Sequence, residues 1–317
     1  MSQLSFMRKE KRMKFLFFTD GHLRGVNSIN RKSDYFSDWM DKFNELLSIT
    51  KKEKCMFIVD AGDLFDVSNP SFRILDALAD KVEKAKVDIY SLQGNHNLHC
   101  GHIENSSSTG LAHLQKRCKY FHSLSEIEGE NYIIEGIEYE HNIEEKLKEG
   151  VFLDDNRYKI LVVHALVTPG KFFDEVSYLT PEQFPTDADL VLLGHYHRPF
   201  AQKVGNTEFL NIGCFGRLSI AEHDIEPSVA IIDTDLRQVK VIKLKSAKPG
   251  NKIFDLEKYN ETKVAKKDIK DFLESLNSVE WQSMSIRGQI EKIGKEQKVD
   301  KEIIGYLIDK IGECDVE

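Results

Sequence analysis

Apolar residues along this chain fall into short runs, and several of the runs stop at one particular kind of polar side chain. KFLFF (14–18) leads into Asp20-Gly21-His22, and MFIV (56–59) leads through Gly62 to Asp63 and Asp66. DIYSL (88–92) leads into Gly94-Asn95-His96, YKILVV (158–163) into His164, and ADLVLL (188–193) into Gly194-His195-Tyr196-His197. Runs this short, bounded by glycine and polar residues, predict buried β-strands. Between them the period changes. Ser33 to Ile49 carries Tyr35, Phe36, Trp39, Met40, Phe43, Leu46 and Leu47 at helical spacing, and Ser71 to Lys84 predicts a second helix, with Pro70 at its start. Thr109 to Lys116 predicts a third, shorter one. Strands alternating with helices point to βαβ units and a layered α/β fold rather than a barrel of hairpins.

Further along, Tyr132 to Tyr139 predicts a strand and Glu140 to Glu149 a charged helix. From Glu208 to Leu244 the pattern turns to β, with EFLNIG, PSVAIIDTD and QVKVIKLK split by turn residues, which predicts a second sheet packed on the first. Composition shifts after Lys248-Pro249-Gly250-Asn251. Residues 255–317 are rich in Lys and Glu, with Ile303, Ile304, Leu307, Ile308 and Ile311 at helical spacing. The expected organisation is therefore a flexible extension over 1–13, an α/β domain over 14–250, and a small helical region over 251–317.

The chemistry lies in what ends the strands. An ionised carboxylate is costly to bury without a partner, so a hidden strand that delivers Asp63 and Asp66 at its end implies a cation there. Each case alone has an ordinary explanation. A lone aspartate can cap a helix, and a lone His164 fits a packed core. Five strand ends carrying metal-ligand residue types in one chain are hard to explain that way, especially with glycine directly before the polar group in three of them.

In order, DGH, GDLFD, GNH, a lone His and GHYH resemble the pattern of the calcineurin-like metallophosphoesterase superfamily, and the match spans residues 20 to 197. The surroundings look most like its Mre/SbcD branch of DNA-repair nucleases, with AGDLFD leading into Asn69-Pro70-Ser71 and a Gly-containing turn with Arg217 after the last histidine pair. The resemblance implies a four-layer αββα sandwich holding two divalent ions, Mn2+ first. One ion would take Asp20, His22, Asp63 and His197; the other would take Asp63, Asn95, His164 and His195. Mixed imidazole and oxygen ligands suit Mn, Fe, Zn or Ni better than Ca or Mg alone. By the same resemblance the ions polarise a phosphodiester and lower the pKa of a water that attacks phosphorus, while His96 assists the leaving oxygen. Asp66 and Asn97 would support from behind, and Arg217 would hold a substrate phosphate. Asn97 stands where most members have Asp or Glu, so an Asn97→Asp change is expected to raise turnover. The implied partners are DNA, an SbcC/Rad-type coiled-coil ATPase and, through part of the aromatic helix face, a second copy of the chain. The alternatives are a stand-alone small-molecule phosphodiesterase or phosphatase and, on the strength of Asn97, a non-catalytic scaffold.

Composition adjusts this picture slightly. The 317 residues carry a net charge of −8 with a pI near 5.8, which is unlike a nucleic-acid binder overall, although two bound cations would dominate the field of one cleft. Five cysteines without CxxC spacing argue against a disulfide framework and for a reducing compartment. The basic start lacks the apolar stretch of a signal peptide, and no apolar run approaches a membrane span, so a soluble cytoplasmic protein is expected.

Overall fold

The computed structural model describes residues 12–172, 176–257 and 304. The expected flexible extension up to residue 11 and the helical region after residue 257 lie outside this set, apart from Ile304. Chain contacts divide the protein into two units, Met1–Asp255 and Leu256–Glu317.

Two six-stranded sheets form the centre of the first unit. In the first sheet, β1 (Lys14–Phe18), β2 (Phe57–Asp60), β3 (Asp88–Ser91) and β4 (Phe121–Ser123) run parallel side by side. β11 (Ser228–Asp233) and β12 (Gln238–Lys243) extend it antiparallel beyond β1. The second sheet has the order β5 (Glu126–Glu128), β6 (Tyr132–Ile137), β7 (Tyr158–His164), β8 (Leu190–Gly194), β10 (Thr207–Asn211) and β9 (Phe200–Val204). The late β-rich stretch does not build a sheet of its own. β10 pairs with β8, whereas β11 and β12 join the first sheet, because β11 completes the hydrogen bonding of the otherwise open edge of β1.

The two sheets bury their inner faces against each other. Phe15, Phe17, Val59 and Ile232 of one meet Ile134, Ile160, Val162 and Leu192 of the other in a single apolar layer. Outside the first sheet lie α1 (Tyr35–Glu53), α2 (Phe72–Ala85) and α3 (Gly110–Arg117), whose Trp39, Phe43, Leu78 and Leu114 pack on Leu16, Ile58 and Ile89. Capping explains where these helices start: the Asp34 carboxylate accepts from Ser37 N at 2.7 Å before α1, and Thr109 Oγ1 accepts from Ala112 N at 3.2 Å before α3. Outside the second sheet the cover is thin. The five-residue α4 (Ile143–Leu147) and the loop with Leu179 and Phe184 pack on Leu161, Val163 and Leu193. The result is an αββα sandwich, with a short helix α5 (Gly250–Ile253) following β12.

Register then aligns the strand ends. Phe18 pairs with Asp60 and Asp60 with Ser91, while in the second sheet His164 pairs with Gly194. Parallel neighbours ending level with one another must deliver their following loops to the same rim.

Candidate metal centre

At that rim the expected ligands meet. Asp20 and His22 follow β1, Asp63 follows β2 and Asn95 follows β3; His164 ends β7, and His195 and His197 follow β8. His22 Nε2 lies 3.0 Å from His197 Nε2, 3.8 Å from Asp20 Oδ1 and 3.8 Å from Asp63 Oδ2. His197 Nε2 is 3.6 Å from Asp20 Oδ1. On the other side of Asp63, His164 Nε2 lies 3.4 Å from its Oδ2 and 3.2 Å from Asn95 Oδ1. Asp20, His22 and His197 thus form one group of facing ligand atoms, and Asp63, His164 and His195 another. The Asp63 carboxylate reaches both.

Backbone geometry explains how the loops turn so tightly. Asp20, His22, Asp63 and His195 all have left-handed φ, which non-glycine residues adopt at a cost of order 1–3 kcal/mol each. Such strain persists where the surroundings hold it. Asp20 carboxylate oxygens accept from the His195 backbone N at 3.1 Å, and Asp63 Oδ1 accepts from the His96 backbone N at 2.9 Å. Two glycines are required by the same crowding. Gly62 has φ of +105°, and a Cβ there would stand 2.6 Å from His164 Nδ1; a Cβ on Gly94 would stand 2.1 Å from Asp63 Oδ1.

The donor set fits divalent cations. A carbonyl can only accept, so His164 Nδ1 must donate in its 2.7 Å contact with Ala61 O, and Nε2 is the ring nitrogen that faces Asp63 and Asn95 and would bind a cation once its own proton is displaced. His197 is held in the same way, its Nδ1 donating to Glu222 Oε1 at 2.5 Å. Two imidazole nitrogens 3.0 Å apart beside two carboxylates form the kind of oxygen and nitrogen cage that transition-metal ions occupy.

Electrostatics sorts the imidazoles into two pairs. Burial works against a charged His164, but the adjacent Asp63 carboxylate outweighs it and lifts the group to about 9. His197 is also raised to about 9, burial being overcome by its hydrogen bond to Glu222 and by Asp20. Burial drives His22 well below its ordinary range, and burial together with His164 brings His195 down to about 3. For Asp63, burial is overridden by His164, His22 and His96, which hold the carboxyl far below the usual range, whereas burial raises Asp20.

The remaining expected residues divide. His96 stands exposed at the edge, its ring 4.7 Å from that of His22, with Nδ1 3.0 Å from the Asp66 carbonyl and 3.6 Å from the Asp66 carboxylate. Asp66 also accepts from Arg24 Nη1 at 2.9 Å. Asn97, expected to orient His96, does something else. It is buried, its Nδ2 donates to Phe65 O at 3.0 Å and its Oδ1 accepts from Gly94 N at 3.4 Å, so it ties the GNH loop to the GDLFD loop. Asp66 is what touches the His96 ring. Arg217 is likewise not presented to a substrate: it is 4% exposed, and its Nη1 and Nη2 donate to the carbonyls of Ile225 and Lys248 at 3.2 and 2.6 Å.

Three neighbours of the site were not expected. Glu222 binds His197. Tyr139 lies beside His195 and His164, at ring distances of 5.9 and 6.2 Å. Lys42, buried on α1, donates to the carbonyls of Phe215 and Gly216, while the backbone N of those residues donates to the carbonyls of Thr19 and Asp20. Ser219-x-x-Glu222 is readable as a capping box, but nothing in that motif points to a histidine more than twenty positions earlier.

Comparison with known proteins identifies the family. The model of the calcineurin-like phosphoesterase superfamily domain matches residues 13–237. A DNA double-strand break repair protein Mre11 of Methanosarcina mazei is 26% identical over 230 residues, covering 68% of this chain and 35% of the relative. The SbcD subunit of the nuclease SbcCD of Staphylococcus epidermidis is 26% identical over 259 residues, covering 72% of this chain and 67% of the relative. The chain thus spans about a third of the Mre11 relative's length. Among solved structures, a dimetal phosphatase from Danio rerio aligns over 74% of this chain and 99% of its own at 13% identity, with a TM-score of 0.47.

Proposed function

The chain belongs to the calcineurin-like phosphoesterase superfamily, and from that premise we propose that it is a DNA nuclease subunit of the Mre11/SbcD kind, hydrolysing phosphodiester bonds with two Mn2+ ions. One observation carries the two-metal part of the reading: the Asp63 carboxylate lies 3.8 Å from His22 Nε2 and 3.4 Å from His164 Nε2, between two ligand groups. A carboxylate so placed is in reach of both groups and would be the ligand shared by the two ions of a two-metal phosphoesterase centre. The nucleic-acid part is supported by the named activities of the relatives at 26% identity.

Asp20, His22, His197 and Asp63 would hold one ion, and Asp63, Asn95, His164 and His195 the other. When bound, the pair would supply positive charge at the phosphate and lower the pKa of a nearby water. The protein's own groups do the rest. Left-handed backbone at Asp20, His22, Asp63 and His195 fixes the ligand atoms before substrate arrives, which removes reorganisation from the reaction. His96 has its Nδ1 engaged by Asp66, so Nε2 is the atom that gives a proton or a positive charge to the leaving oxygen. Asp66 holds that ring and is in turn held by Arg24.

The test is digestion of linear and circular DNA with Mn2+, beside hydrolysis of a small aryl phosphodiester, by the wild type and Asp63→Asn. Cleavage of DNA that Asp63→Asn abolishes supports the nuclease reading. Cleavage of the aryl ester alone assigns a small-molecule phosphodiesterase, the reading that the net charge of −8 favours. In the nuclease reading the partner is an SbcC/Rad-type ATPase docking on the region after residue 250.

A further inference from the structure

Glu222 stands 25 residues after His197 in sequence, on the 3-10 turn Ile220–Glu222, and belongs to none of the motifs that supply the candidate ligands. Its carboxylate is engaged at both oxygens. Oε1 accepts from His197 Nδ1 at 2.5 Å, and Oε2 accepts from the Ser219 backbone N at 2.9 Å, while the Ser219 side chain accepts in return from the Glu222 backbone N in a capping box. The side chain is largely buried, which limits competition from water for these oxygens.

We propose that Glu222 is a positioning residue for the metal centre: it fixes His197 in the tautomer with hydrogen on Nδ1, so that the Nε2 lone pair points at Asp20 and His22. The inference rests on the two-metal reading of the site. A neutral imidazole carries one N–H, and the nitrogen that lacks it is the one that binds a cation. With a carboxylate at Nδ1, only one of the two tautomers is free of a clash between lone pairs. The same bond fixes the ring plane, which matters because His22 Nε2 is only 3.0 Å away. Partners of this sort, standing behind a ligating histidine, contribute roughly 10–100-fold to metal affinity.

The arrangement makes a sharp distinction between variants. Glu222→Gln keeps the length but offers a single acceptor oxygen, so either the Ser219 N–H or His197 Nδ1 loses its partner. Ser219→Ala removes the cap of the turn and leaves the Glu222 carboxylate intact.

The experiment has two readouts. The ring tautomer of His197 is read by 15N NMR at pH 10, above the value of about 9 to which the ring is raised and hence on the neutral imidazole, in chelator-treated wild type, E222Q and S219A, and Mn2+ affinity is then measured for each by titration with the metal alone. The expected result is an Nδ1–H tautomer in the wild type and in S219A, a mixed or reversed tautomer in E222Q, and Mn2+ affinity lowered roughly 10–100-fold in E222Q only. Loss of affinity in S219A equal to that in E222Q would mean that Glu222 only builds the turn, and the proposal is overturned. An unchanged tautomer and affinity in E222Q overturn it as well. Because the tautomer is read without metal, a wild type that shows the Nδ1–H form yet binds no Mn2+ sinks the two-metal reading while leaving the hydrogen-bond assignment standing.

Discussion

His22 and His197, 175 residues apart in the chain, face each other Nε2 to Nε2 at 3.0 Å. In neutral imidazoles one of these atoms would have to carry the proton, whereas a divalent cation uses the lone pairs of both. Metal loading is therefore expected to stabilise the protein. At a free ion concentration of a hundred times Kd the gain is about 2.7 kcal/mol, or several degrees in Tm for a domain of this size. Thermal melting with Mn2+, and again after chelation, measures it, and a Tm that ignores the metal contradicts the assignment.

In the proposed centre, protons should compete with metal for only half of the candidate histidine ligands. His164 and His197, raised to about 9, are charged in the metal-free site at pH 7, while His22 and His195 are already neutral. The sign follows directly. Folded pKa values above the ordinary one give stability that is full below about 6.5 and is lost as pH rises through about 9, and over the same window metal affinity rises. Loading at pH 7 should release about two protons, fading toward zero above pH 9. Calorimetry in buffers of different ionisation enthalpy counts them, and a release near four would refute the division.

His96→Gln should lower kcat by about 10²–10⁴ and leave metal binding alone. The contact of this residue with Asp63 is made by its backbone N–H, at 2.9 Å, and survives any change of side chain. Equal losses of kcat and metal affinity would show that the ring belongs to the cage instead.

Asn97→Asp is expected to harm the protein, in contrast to the gain that its motif position suggests. The Nδ2 donor to Phe65 O would become a carboxylate oxygen facing a carbonyl in a buried site. An uncompensated pair of acceptors costs roughly 1–3 kcal/mol. Denaturant melts and a turnover assay test it; higher turnover with unchanged stability would restore the motif-based expectation.

Arg217→Met should lower stability by roughly 1–3 kcal/mol, since the carbonyls of Ile225 and Lys248 lose a buried donor, and should leave KM nearly unchanged. A large rise in KM without loss of stability would return this side chain to the substrate.

Much of this molecule is legible in its sequence, and for a definite reason. Each strand that feeds the site is a short apolar run closed by its own candidate ligand, so strand, turn and chemistry sit within about ten residues of one another, as in Phe57 to Asp66. The parts that stay hidden depend on contacts between distant segments. The assignment of β10 to one sheet and of β11 and β12 to the other is decided by which edges need hydrogen bonds. Glu222 finds His197 only after the chain has gone through β9 and β10. Asn97 and Arg217 defeat a motif-based reading because a motif records a position, and not which backbone carbonyl lies within reach of the side chain.

The two sheets contribute unequally to the rim. Asp20, His22, Asp63 and Asn95 come from the first, and His164, His195 and His197 from the second. In the proposed assignment neither half on its own carries a complete set for either ion, so capture would wait until both are assembled, and a bound pair would act as a rivet across the seam. Apo protein should accordingly exchange amide hydrogens fastest where the halves part.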